Sequence, residues 1–73
     1  MFGKIRVKKA NKLMTKAEDL IATGDTKKIF KGLQYAKKAI TTFPIGQKFA
    51  SDWDKMKDRS ETLSEMIEAR LGD

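Results

Sequence analysis

The sequence predicts an all-α fold, a small antiparallel three-helix bundle, from two observations. Three stretches of the 73-residue chain place apolar residues three and four positions apart, the spacing that lines one face of an α-helix. Turn-forming residues, Gly24 and Pro44, separate these stretches. Helices joined by such short links pack as antiparallel neighbours. We therefore expect one three-helix domain over residues 8–73, preceded by an extended N-terminal tip over residues 1–7.

The extended tip is predicted from the segment 4–8. Its side chains alternate strictly between charged and apolar, as in an extended chain. If a helix continued backwards through this segment, Arg6 would fall on its apolar face. Phe2, Ile5 and Val7 have no place in the predicted bundle, so they are candidates for contact with a partner. An extended tip could add as a strand to an exposed sheet edge of another protein.

The first helix is expected over about residues 8–23. Gly24 follows it and accepts the left-handed conformation that ends many helices. The apolar residues of this helix share one face, and they are Ala10, Leu13, Met14, Ala17, Leu20 and Ile21.

The second helix is expected over about residues 26–43. Asp25 or Thr26 is the candidate N-cap, and Pro44 ends the helix because the residue before a proline avoids the helical conformation. The predicted buried stripe is Ile29, Leu33, Ala36, Ile40 and Phe43. Phe30 lies to one side of this stripe, and we expect it to complete a wide core.

The third helix is expected over about residues 48–71, with Trp53 as the largest core side chain. Its apolar face comprises Phe49, Trp53, Met56, Ser60, Leu63 and Ile67, and a row of carboxylates beside that face comprises Asp54, Asp58, Glu61, Glu65 and Glu68. Carboxylates one helical turn apart can hold a hard cation, but such sites normally add carbonyl ligands from a bent loop. We interpret this acidic ridge as a solvated flank that can meet lysines, and we expect no metal.

Enzymatic chemistry is not expected. The chain has no histidine and no cysteine, which removes the most frequent general base and the thiolate nucleophile. No phosphate-binding glycine loop or nucleophile elbow occurs, so no cofactor or small-molecule substrate is expected. The sequence also contains no long apolar run and no signal-peptide core, which leads us to expect a soluble cytoplasmic protein.

The charge of the chain is unevenly distributed. The net charge is +6, and residues 1–48 carry +9 while residues 49–73 carry −3. This asymmetry favours an acidic partner for the first two-thirds of the chain. Most of the bases are lysines, which bind phosphate as hydrated point charges and do not make the bidentate contacts of arginine.

The candidate partner-binding residues form a lysine-rich face on the first two helices. On the second helix, Lys27, Lys31 and Lys38 lie within about 40° on the helical wheel, away from the apolar stripe. The full set of candidates is Lys8, Lys12, Lys16, Lys27, Lys28, Lys31, Tyr35 and Lys38, together with Phe2, Ile5 and Val7 of the tip. The same lysines would also suit a helix surface that is merely solvated.

Two functions fit this face. The first is a non-catalytic interaction protein, an adaptor, inhibitor or assembly subunit, that docks an acidic protein surface or its own copies. The alternative is non-specific nucleic-acid binding, with lysines contacting phosphates and Tyr35 stacking on a base. Binding to a membrane surface is not expected, because the apolar face of the first helix is needed for the core.

Overall fold

The structure is a computed structural model that describes residues 2–72. Its three helices are α1 (Phe2–Ala22), α2 (Thr26–Thr42) and α3 (Ala50–Leu71), and a single 3₁₀ turn (Gln47–Phe49) leads into α3. They pack as a bundle of 42 × 17 × 14 Å. The predicted all-α three-helix fold is confirmed.

The ends of α2 follow the predicted signals. The Asp25 carboxylate accepts a hydrogen bond from the backbone N–H of Lys27 at 3.2 Å, which satisfies one of the free donors at the start of the helix. Gly24 has a φ of 76° and makes the tight turn between α1 and α2. Phe43 is already extended before Pro44, so α2 ends where the proline requires it.

The prediction of an extended tip over residues 1–7 is wrong for every residue that the structure describes, because α1 begins at Phe2. The side chain of Arg6 donates a hydrogen bond from Nε to the carbonyl oxygen of Thr42 at 3.0 Å. That carbonyl belongs to the last residue of α2 and has no partner within its own helix. Arg6 is exposed but reaches the polar end of α2, so a helix can continue through this position without burying an unpaired charge. The first turn of α1 is also in contact with the ring of Phe49, which packs against the backbone of Gly3.

The core lies mainly between α1 and α2. Its fully or nearly buried apolar residues are Ala10, Met14, Ala17, Ile21, Ile29, Ala36, Ala39, Phe43, Met56 and Leu63. Gly32 is buried as well, and a Cβ atom added there would lie 3.0 Å from the carbonyl oxygen of Ala17 and 2.8 Å from Cγ1 of Ile21. The two helices approach closely because small residues face each other along their contact.

The buried face of α2 is turned relative to the predicted stripe. Leu33 and Ile40 are 37% and 38% exposed, whereas Gly32 and Ala39 take the inner positions. The apolar pattern pointed to the large side chains, but close packing against α1 selects the small ones. The expectation that Phe30 completes the core is also wrong, because this side chain is 57% exposed.

The helix α3 contributes less to the core than α1 and α2 do. Met56 and Leu63 are its buried residues, and Trp53 is only half-buried. The ring of Trp53 lies 5.2 Å from the ring of Phe43, centroid to centroid, in a tilted arrangement. One apolar side of α3 therefore remains open to solvent next to α2.

A polar contact fixes α3 against α1. The guanidinium of Arg59 binds both carboxylate oxygens of Glu18, at 3.0 and 2.6 Å, and also donates to the side chains of Asn11 and Thr15, each at 3.1 Å. The hydrogen bond to Glu18 raises the pKa of Arg59, while partial burial opposes this change. This bidentate pair sets which turn of α3 faces which turn of α1.

Replacement of Gly32 tests the close approach of α1 and α2. Helix propensity alone would make Gly32→Val slightly stabilising. We expect instead a loss of about 1–3 kcal/mol in the free energy of unfolding, because the new side chain must displace Ile21 and the backbone of Ala17. Urea denaturation measures this loss, with Gln34→Val at an exposed position of the same helix as the control. A Gly32→Val protein as stable as the control would contradict the close packing.

Candidate functional site

The candidate functional site is a cluster of charged and aromatic side chains between α1 and α2. A shallow pocket of about 250 Å³ is lined by Lys16, Asp19, Leu20, Lys31 and Tyr35. All of these residues belong to α1 or α2, and none belongs to α3. The pocket therefore lies on a part of the α1–α2 helical hairpin that α3 does not cover. We call this set the lysine–tyrosine pocket.

The close packing of the hairpin places these side chains. Lys16 and Leu20 each precede a buried residue of α1, Ala17 and Ile21. Lys31 and Tyr35 likewise precede Gly32 and Ala36, which are buried on α2. A position next to a buried one lies on the flank of the helix, about 100° around its axis. The two flanks therefore meet along one edge of the contact between α1 and α2.

Lys16 and Tyr35 form the best-defined contact of the pocket. The ammonium nitrogen of Lys16 lies 5.5 Å from the centroid of the Tyr35 ring, within the range of a cation–π interaction. Tyr35 is half-buried and packs against the core, so its ring is a fixed platform. Lys16 is consequently held above α2, although its own helix leaves it exposed.

Two of the predicted lysines, Lys16 and Lys31, line this pocket together with Tyr35. The other lysines of the predicted face are exposed but do not line the pocket, and they are Lys8, Lys12, Lys27, Lys28 and Lys38. Sequence reasoning missed Asp19, which brings a negative charge into the same pocket. The sequence could have indicated Asp19, because it lies three residues after Lys16 and residues three apart are neighbours on a helix surface.

The three predicted contact residues of the tip, Phe2, Ile5 and Val7, differ in their exposure to solvent. Phe2 and Ile5 are exposed at 83% and 61%, so they remain available to a partner. Val7 packs against the core and is half-buried, so less of its side chain is open to a partner. Strand addition to a sheet edge is wrong for this segment, because residues 2–7 are helical and their backbone groups belong to α1.

The acidic ridge of α3 does not gather into a cation site. Across residues 2–72, no three or more acidic, histidine or cysteine side chains lie close enough together to hold a metal ion. Within the same part of the chain, no helix has the length and apolar character needed to cross a membrane.

No protein-family model, curated protein or solved structure matches this chain. The chemistry of its side chains and their placement in the bundle are therefore the basis for assigning a function.

The contact between Lys16 and Tyr35 has a spectroscopic signature. Protons above an aromatic ring are shielded, so we expect the ε-methylene resonances of Lys16 upfield of those of the other lysines in an NMR spectrum. Tyr35→Leu should return them to the common lysine position while the helices stay intact, and Lys12 serves as the internal reference. A Lys16 resonance that does not respond to Tyr35→Leu would contradict the cation–π geometry.

Proposed function

We propose that this chain is a small non-catalytic interaction protein that docks an acidic protein surface through the lysine–tyrosine pocket and the lysines around it. The observation that supports this proposal best is the convergence of Lys16, Lys31 and the fixed ring of Tyr35 from two helices. Tyrosine supplies a large contact area at low conformational cost, and lysines around it add attraction for acidic side chains.

The residues available for chemistry support a binding function over catalysis. The chain contains neither histidine nor cysteine. The lysine–tyrosine pocket, of about 250 Å³, is smaller than the clefts of about 300–1,000 Å³ that usually hold small ligands. The larger depression of about 800 Å³ between α2 and α3 is lined, among the described residues, by no ionisable side chain that could carry out acid–base chemistry. A shallow depression of the size of the lysine–tyrosine pocket suits one or two side chains of a partner protein.

The charges in the pocket favour a protein partner over a nucleic acid. Asp19 lines the pocket beside the two lysines, and its carboxylate would repel a phosphate backbone. A protein surface can match such a mixed pattern with its own basic and acidic groups. The Lys16 ammonium also lies over the Tyr35 ring, so a nucleic-acid base would have to displace it to stack there.

The hydrogen bonds of two arginines also favour a protein partner over a nucleic acid. Of the three arginines, Arg59 binds Glu18 with its fork and Arg6 donates from Nε to the Thr42 carbonyl, while Arg70 is exposed near the end of α3. Their planar forks are the groups that bind phosphate and guanine bidentately. A nucleic acid would therefore meet mainly lysines, which supports at most weak and non-specific phosphate binding.

A binding experiment with two labelled probes tests the proposal. The probes are an acidic peptide of glutamates with interspersed lysines, which can meet Asp19 as well as Lys16 and Lys31, and a single-stranded oligonucleotide of the same length. The binding of both is followed by fluorescence anisotropy at two salt concentrations. We expect the peptide to bind, and we expect Lys16→Glu with Lys31→Glu to weaken its binding by about tenfold or more, because both charges at the centre of the contact are reversed. The matched control is Lys48→Glu with Lys55→Glu, which makes the same change in net charge outside the pocket.

Two outcomes would contradict the proposal. Equal weakening by the control pair would mean that only the net charge matters. Tighter binding of the oligonucleotide, with a slope of log K against log salt of about −3.5, would instead indicate a nucleic-acid-binding protein that engages about five phosphates of a single strand.

A further inference from the structure

A long apolar groove lies between α2 and α3, on a side of the bundle that the lysine–tyrosine pocket does not share. It consists of three adjoining depressions of about 800, 270 and 270 Å³, and Ile40 lines all three. The apolar residues that line it most prominently are Leu33, Ile40, Ile45, Trp53, Leu63 and Ile67. We call this feature the α2–α3 groove.

The groove exists because α2 turns its small residues towards α1. Leu33 and Ile40 are thereby left on the side of α2 that faces α3, where each remains more than a third exposed. Trp53, on the opposite wall, is also only half-buried. Exposed apolar side chains that are contiguous, and not scattered, mark an interaction site.

The accessible surface of the chain exceeds the value expected for its mass. The accessible surface is 5469 Å² for a mass of 8.3 kDa. A folded monomer of that mass exposes about 4,600 Å² on the general scaling of surface with mass. The excess of about 900 Å² belongs to the whole elongated bundle of 42 × 17 × 14 Å, and a second copy seated on the groove would remove part of it.

We infer that a second copy of this chain covers the α2–α3 groove, forming a two-fold symmetric dimer through α2 and α3. The two rims of the groove differ in charge. Lys37 lies on the α2 rim, across the groove from Ser60 and Ser64. Glu61 lies on the α3 rim, at the same height, between those two serines in the sequence. Lys57 also lies on the α3 rim, one turn before Glu61, so the self-complementarity rests on the pairing of Lys37 with Glu61 and not on rims of uniform charge.

A two-fold axis parallel to the helices brings these rims together. This axis places α2 of each copy over α3 of the other and does not shift either copy along the axis. Lys37 of each copy therefore meets Glu61 of the other copy, which gives two identical contacts. Neighbouring helices at this interface all run antiparallel, as in an up-and-down four-helix bundle. The apolar walls, including Ile40 and Trp53, then face each other in the centre.

The distribution of charge permits this association despite the net charge of +6. Residues 49–73, which supply one wall of the groove, carry −3, whereas the excess of bases lies in residues 1–48. The lysine–tyrosine pocket stays outside the interface, so the dimer would present two such pockets. The dimer does not depend on the proposed function, because a different set of residues forms it.

Analytical ultracentrifugation of the full chain, from about 10 µM to about 1 mM, tests this inference, since a weak but specific dimer has a dissociation constant within that range. We expect the average mass to rise from that of a monomer towards that of a dimer. Ile40→Ser should weaken association by about tenfold or more, because it removes an apolar side chain from the centre of the interface. The matched control is Ile5→Ser, the same change at an exposed position of α1 outside the groove. Circular dichroism checks that both variants remain helical.

Charge reversal gives a test that does not alter the apolar core. Lys37→Glu and Glu61→Lys should each weaken association, because each places like charges against each other twice in a symmetric dimer. An equimolar mixture of the two variants should associate again, since every contact in the mixed dimer pairs opposite charges. A chain that stays monomeric at about 1 mM would overturn the inference. It would also be overturned by equal effects of Ile40→Ser and Ile5→Ser, or by a mixture that associates no better than its components.

Discussion

The close contact between α1 and α2 is the constraint on which the other features of this structure depend. A chain of this size buries only about 60% of its unfolded surface, so each buried contact carries a large share of its stability. Here Gly32, Ala17 and Ala39 let two helix backbones approach until little space remains between them. This approach aligns the flanks that form the lysine–tyrosine pocket, and it turns Leu33 and Ile40 away from α1.

The exposed features of the molecule are consequences of the same packing. The small residues of α2 pack against α1, so the larger apolar residues of α2 face α3. Met56 and Leu63 of α3 cover this side of α2 only in part. Arg59 compensates by fixing α3 to α1 through Glu18 and its neighbours. The result is a bundle with a basic, tyrosine-containing surface on the hairpin and an open apolar groove beside α3. Two different binding surfaces can therefore coexist on a very small domain.

The sequence predicted the elements of the fold better than it predicted their orientation. Helical periodicity, Asp25, Gly24 and Pro44 placed three helices and both links, because these signals are local. The inner face of α2 was misjudged, since apolar spacing favours Leu33 over Gly32 and says nothing about how near the next helix comes. The start of α1 was missed for a similar reason: Arg6 looks misplaced on a helix until the free carbonyl of Thr42 lies beside it. Lys16, Lys31 and Tyr35 were candidates from the sequence, but their convergence in one pocket and the presence of Asp19 there were not predicted.

Native-state hydrogen exchange tests most directly whether the α1–α2 hairpin is the stable centre of the fold. If it is, amides of the buried parts of α1 and α2, around Met14 and Ile29, should exchange only through global unfolding. Amides of α3 should then exchange faster, through an opening that leaves the hairpin intact. If the amides around Leu63 were protected as strongly as those around Met14, or more strongly, the three helices would share one core equally, and the central place given to the hairpin would be contradicted.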